Sequence, residues 1–301
     1  MTLQQLRYVI AIADSSSMSE AAKSLFISQP TLSNSIKELE REIGIRIFNR
    51  TNKGIVISVE GKKFLGYARQ VTEQMQLLEE EYLGARASKQ KFSISTQHYS
   101  FAVNAFVNLI QECGNDRYDF TIRETRTYEI IDDVRSLRSE IGILYLNDFN
   151  EKVIMKLIRE SNLEFEKLFT AKPHIFVSSR NPLSRKKSVL LKDLKPYPYL
   201  SFDQGDYNSF YFSEEILSTI EHAKNIRVSD RATLFNLLIG LNGYTISTGV
   251  ISRELNGEEI VSVPLNVDDC MVIGAITLKN AVLSRLGEIY MTQLRQFIEL
   301  L

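Results

Sequence analysis

Cysteine is scarce: the 301 residues hold two, Cys113 and Cys270. They lie far apart with no paired spacing, which excludes a disulfide framework and fits a reducing compartment. The three histidines, His98, His174 and His222, are equally scattered and offer no metal-ligand spacing, so no metal site is expected. No apolar run reaches transmembrane length and no signal peptide follows Met1, so a cytoplasmic location without a membrane partner is expected. There is no Gly-x-Ser-x-Gly, no phosphate loop and no dinucleotide fingerprint. Cys113 has no base at an evident spacing, and Asp132-Asp133 and Asp268-Asp269 read as solvated caps rather than a paired-carboxylate site. No catalytic residue and no cofactor are therefore expected. A charge excess is missing too. With 36 Lys and Arg against 37 Asp and Glu the net charge is −1, so any nucleic-acid binding must be local. Length and a 44% hydrophobic, 24% charged composition suit two or three soluble domains.

The most informative stretch is 28–40, SQPTLSNSIKELE, led in by MSEAAKSLFI. It predicts a short helix, a tight turn and a second helix. Ser28 is suited to the N-cap, and Pro30 to the first turn, where no backbone donor is needed. Leu32, Ile36, Leu39 and Ile43 recur at helical spacing as one buried stripe. Pro30, Asn34, Lys37 and Arg41 fall on the opposite side, with Ser33 at the flank. That outer face offers donors for phosphates and base edges, as a recognition helix in a major groove requires. Ala21 and Ala22 are small where two helices cross, and Leu25 and Ile27 bracket the turn. Downstream, IRIFNRTNKGIVISV alternates apolar and polar residues around Asn52-Lys53-Gly54, which predicts a β-hairpin. Residues 46–63 carry Arg46, Arg50, Lys53, Lys62 and Lys63 against Glu60, a local charge of five minus one, +4. A helix-turn-helix followed by a basic hairpin is a winged helix.

These residues resemble the DNA-binding domain of the LysR-type transcriptional regulators. The family pattern falls on Ala21-Ala22, Leu25, Ser28-Gln29-Pro30, Leu32-Ser33, Ile36, Leu39-Glu40, Gly44 and Ile47-Phe48-Asn49-Arg50. Where the family often has Arg after Leu-Ser, this chain has Asn34, and Asn favours adenine where Arg favours guanine. Ser28, Gln29, Pro30, Thr31, Ser33, Asn34, Lys37, Arg50 and Lys53 are the expected contacts to double-stranded DNA.

The expected domains are a winged helix-turn-helix over 1–59, a linker helix over 60–88 and an effector domain over 89–301. The linker carries a heptad stripe of Phe64, Ala68, Val71, Met75, Leu78 and Tyr82, continuing to Ala85, which predicts pairing between subunits. The family resemblance implies the same, as a dimer or a homotetramer, with RNA polymerase as a further candidate partner. From residue 91 strands and helices alternate, predicting an α/β domain with parallel sheets. The resemblance implies two lobes shaped like a periplasmic binding protein, with lobe I over 91–163 and 267–301 and lobe II over 164–266. A helix is expected over 210–222. Asn181-Pro182-Leu183 stands where the family often has His-Pro-Leu.

Ligands bind beyond the carboxyl ends of parallel strands. That points to Gln97, His98, Tyr99, Ser100 and Thr125 in one lobe and Ser201, Phe202 and Thr248 in the other. Ser100 precedes a helix, whose free backbone donors favour an anion. In the sulfur-assimilation branch of the family the corresponding run holds the effector, which leans towards amino-acid metabolism. The expected function is a sequence-specific DNA-binding regulator responding to a small anion or amino-acid-like metabolite. The alternative is a DNA-binding protein whose second domain is a protein-interaction module without a small effector.

Overall fold

The computed structural model describes residues 1–15, 17–51, 54–83, 90–113, 117–207, 209–252 and 256–299. It divides into two compact units, Met1–Ser88 and Lys89–Leu301.

The first unit opens with α1 (Leu3–Ala13), α2 (Met18–Ser24) and α3 (Gln29–Ile43). Each starts on a hydroxyl cap: Thr2, Ser17 and Ser28 accept the N–H of Gln5, Glu20 and Thr31. Ser17 thus begins α2. The turn between α2 and α3 places Phe26 at φ 56°, a left-handed cap usually given to glycine, while its ring is 96% exposed. The α3 stripe of Leu32, Ile36 and Leu39 is buried against Val9, Ile12, Ala21 and Ala22, and Gly44 ends the helix at φ 72°.

The wing is an antiparallel hairpin of β1 (Phe48–Thr51) and β2 (Gly54–Ile57). Glu40 at the end of α3 accepts the N–H groups of Ile47 (2.7 Å) and Phe48 (3.0 Å), which ties the wing to the recognition helix. α4 (Val59–Leu83) follows. A Cβ on Gly61 would collide with the Ile47 carbonyl, so the glycine lets α4 start against the wing. Ala68 and Leu65 are buried and Phe64 packs on the same core.

The second unit contains β3 (Gln90–Thr96), α5 (Ser100–Cys113), β4 (Tyr118–Glu124), α6 (Thr127–Arg135), β5 (Ile141–Leu146), α7 (Glu151–Glu160) and β6 (Leu163–Ala171). Next come β7 (His174–Ser178), α8 (Leu191–Leu194), β8 (Tyr199–Phe202), β9 (Asn225–Val228), α9 (Arg231–Gly240), β10 (Tyr244–Ser247), β11 (Ile260–Pro264), β12 (Met271–Leu278) and α10 (Arg285–Glu299). They form two five-stranded sheets, ordered β4-β3-β5-β12-β6 and β11-β7-β10-β8-β9.

Four expectations are corrected here. The sheets are mixed, not parallel: β12 runs antiparallel between β5 and β6, and β7 antiparallel between β10 and β11. β6 pairs with β12 along its length, so the chain leaves the first sheet after Ala171 and not before residue 164. The helix expected over 210–222 is only a 3-10 turn, Phe210–Phe212. Glu214 and Glu215 fold inward after it, and Leu217 adopts φ 60°, which no helix accommodates. Finally, Asp133 is no solvated cap: it is buried, accepts the Ser95 hydroxyl and pairs with Arg138 Nε at 2.8 Å.

Candidate DNA-reading face and effector cleft

On α3 the residues opposite the buried stripe reach solvent. Gln29, Pro30, Thr31, Asn34 and Lys37 are exposed and Ser33 is half-buried. Ser28 and Thr31 are joined by their hydroxyls at 2.7 Å as well as by the cap, so the first turn is rigid where a groove-reading helix makes its base contacts. Arg46, Lys62 and Lys63 are exposed around the wing. Lys53 and the side chain of Arg50 lie outside the described residues, as does the Tyr82 side chain of the heptad stripe. Along α4, exposure rises from Ala68, which is buried, to Val71 at 49% and Leu78 at 53%.

In the second unit, a narrow cleft lies at the carboxyl ends of β3, β8 and β10. Of the eight residues expected there, His98, Tyr99, Ser100 and Phe202 line it; Gln97, Thr125, Ser201 and Thr248 do not. Gln97 is wholly buried and bonded at both its amide nitrogen and its carbonyl oxygen. Its amide donates to Thr127 Oγ1 (2.6 Å), and its carbonyl accepts the Tyr99 hydroxyl and the Tyr145 N–H, each at 3.0 Å. It braces the cleft wall from inside and does not itself line the cleft. Thr125 bonds to Glu129 beside its own helix, and Thr248 accepts the Val250 N–H at 3.2 Å. Ser201 is buried in β8.

The cleft also holds residues that the sequence did not single out. Glu214 Oε2 accepts the His98 backbone N–H (3.0 Å) and bonds to His98 Nδ1 (2.8 Å). The His98 ring lies flat on Phe202, centroids 3.7 Å apart and 5° from parallel. Burial lowers the His98 pKa, but Glu214, with Glu124 and Glu215 behind it, outweighs that and raises it. Glu215 accepts the Phe202 N–H (2.9 Å) and the Ser213 hydroxyl (3.0 Å); burial first, and the Glu214 charge second, push its carboxyl up to about 8. Arg231, opening α9, lines the cleft and pairs with Glu124 at 3.1 Å. Burial raises the Glu124 pKa despite that guanidinium. Thr245 lines the cleft from β10, and its buried hydroxyl has no hydrogen-bond partner among the described residues. Glu214 and Glu215 stand in the sequence as two adjacent acids in an apolar stretch, within the run expected to be a helix. His174 and His222 stand apart, bonded to the Lys172 carbonyl (2.9 Å) and the Tyr244 hydroxyl (3.1 Å).

Two family models match this chain, and together they decide its family. Residues 3–62 match the bacterial regulatory helix-turn-helix protein of the lysR family, and residues 98–301 match the LysR substrate binding domain. The chain belongs to the LysR family of helix-turn-helix transcriptional regulators. Among its relatives, the uncharacterised HTH-type transcriptional regulator YnfL of Escherichia coli is 28% identical over 205 residues, 67% of this chain and 65% of that protein. The regulator TfdT of Cupriavidus pinatubonensis is 41% identical over 76 residues, 25% of this chain and 33% of that protein. Both matches thus span less than two thirds of the relative's length. A full-length OxyR variant from Pseudomonas aeruginosa shares the fold, with a TM-score of 0.68 at 20% identity, covering 98% of each chain. CbnR, a LysR family regulator, gives 0.57 at 17% identity over 99% of each chain. No helix among the described residues is long and apolar enough to cross a membrane.

Proposed function

We propose that this LysR-family chain reads double-stranded DNA with the outer face of α3 and with its wing, and that a small effector enters the cleft between the two sheets and shifts how the protein engages its operator. Ser28, Gln29, Pro30, Thr31, Ser33, Asn34 and Lys37 supply the helix contacts. His98, Tyr99, Ser100 and Phe202 supply the near wall of the effector site. The observation that carries the reading is the pairing of an exposed polar face on a rigidly capped helix with a cleft at strand carboxyl ends. The subunits associate through the exposed stripe of α4, where Val71 and Leu78 stand half in solvent. The protein works in the cytoplasm, where its DNA is.

A gel-shift titration tests the DNA face, using duplex from the gene's own neighbourhood and a scrambled duplex of equal length. Lys37→Ala should weaken binding to both and lower the salt slope by about one phosphate contact. Asn34→Ala should cost about 1–3 kcal/mol on the operator and little on the scrambled duplex. Equal losses on both duplexes would remove Asn34 from the base-reading set. Footprinting with candidate metabolites then tests the cleft, through Ser100→Ala, which should lose the metabolite response and keep the ligand-free footprint.

A further inference from the structure

The chemistry of the cleft is that of a cation site. In the arrangement expected from sequence, the backbone donors just after β3 would meet an effector's anionic group. The protein places its own carboxylate there: Glu214 Oε2 already accepts the His98 N–H at 3.0 Å. Glu215 stands beside it, also buried, and both line the cleft. Glu124 adds a third carboxyl nearby, and the fixed cation in the cleft lining, Arg231, is paired with it at 3.1 Å. His98 and Arg231 already pair with Glu214 and Glu124, so Glu215 is the carboxyl left for an entering cation to pair with.

Two further observations point to a ligand. His98 lies flat on Phe202 at 3.7 Å with Glu214 at its edge, which sets an aromatic face and a carboxylate side by side as a cation site requires. On the opposite wall, the Thr245 hydroxyl is buried with no partner among the described residues, a group that costs free energy until something bonds to it. Phe176, Leu234, Phe235, Ile246 and Val250 give the cleft its apolar lining.

We propose that the cleft takes a small organic cation, an ammonium group on a short apolar body, bonded by Glu214, Glu215 and the Thr245 hydroxyl. This rests on the reading that the effector enters this cleft, and it replaces the expected anion. An ammonium has three donors, and the two carboxyls and the hydroxyl offer matching acceptors. Its arrival would favour the ionised form of Glu215, so binding releases a proton, whereas a carboxylate ligand would release none.

The test is thermal stabilisation of the full chain by charge-matched probes: 2-phenylethylamine and a series of alkylamines against 3-phenylpropionate and the corresponding alkyl carboxylates, at about 10 mM, above a millimolar Kd. Amines should raise Tm and carboxylates should not. Glu214→Gln should abolish the amine shift. Because that variant disturbs His98, Thr245→Val serves as the second: it removes an unpartnered hydroxyl, so the ligand-free protein should melt at or above the parent Tm while the amine binds roughly five- to tenfold more weakly. Calorimetric titration in two buffers should show proton release. A shift by carboxylates alone that Thr245→Val weakens would overturn the cation and keep the cleft. An amine shift unchanged in both variants would overturn cleft and cation together. No shift from any amine would overturn the cation, and the footprint with Ser100→Ala would still decide the cleft.

Discussion

Glu215 is the residue whose ionisation most directly shapes this protein. Its carboxyl, held near 8 by burial and by Glu214, has an ordinary value of 4.5. Between those values the unfolded chain has lost the proton and the folded chain keeps it, so stability is greatest at the acid end and falls as pH rises through the window. His98 works in the same direction: its raised pKa means that its pairing with Glu214 helps most when the imidazole is protonated, and is lost as pH rises. Tyr145, Tyr199 and Glu214 are the other titratable neighbours, and the two tyrosines stay neutral because burial raises them well above their ordinary range. Thermal melts should therefore show Tm falling from pH 5 to pH 8. Glu215→Gln, which mimics the neutral acid and keeps an acceptor for the Phe202 N–H, should flatten that slope and gain on the order of a few kcal/mol at pH 8. A slope that survives the substitution would assign it to another group.

At the scale of elements, α4 is one helix with two environments. Its first turns pack on the winged-helix core through Leu65, Phe64 and Ala68, while Val71 and Leu78 further along stand half in solvent. Such a stripe at heptad spacing is covered when two copies pair. Leu78→Asp would place a charge in that seam without a partner. Sedimentation of the variant should show a smaller assembly with unchanged far-ultraviolet dichroism, and an oligomer of parental mass would assign the stripe to another role. The 3-10 turn Phe210–Phe212 is the other decisive element, because its termination turns Glu214 and Glu215 into the cleft.

At the scale of the molecule, the two units have separate cores. The cluster around Leu32, Ile36 and Leu39 draws on the first unit, and the clusters around Tyr290, Ile130 and Leu234 on the second. Calorimetry should resolve two transitions, and a fragment beginning at residue 89 should fold alone and melt with the second. A fragment that stays unfolded would show that the second unit depends on the first. The same organisation limits regulation: an effector acts on DNA binding only if its affinity differs between two arrangements of the protein, since equal affinity shifts nothing.

The sequence by itself determined the local features. Ser28, Pro30 and the Leu32-Ile36-Leu39 stripe specify α3 because capping and helical periodicity act within a few residues. The alternation of strands and helices from residue 91 was legible for the same reason, as short runs of strand-forming residues, and so was the pointing of His98 and Phe202 to a strand-end site. What tertiary structure alone decided was pairing and partnership. β12 is antiparallel to β5 because the chain returns from the other sheet, which no local pattern records. Gln97, polar and next to the site, turned inward because Thr127, Tyr99 and Tyr145 wait for it. Glu214 bonds to His98 across a separation of 116 residues, and that contact, invisible to periodicity, brings a carboxylate into the cleft.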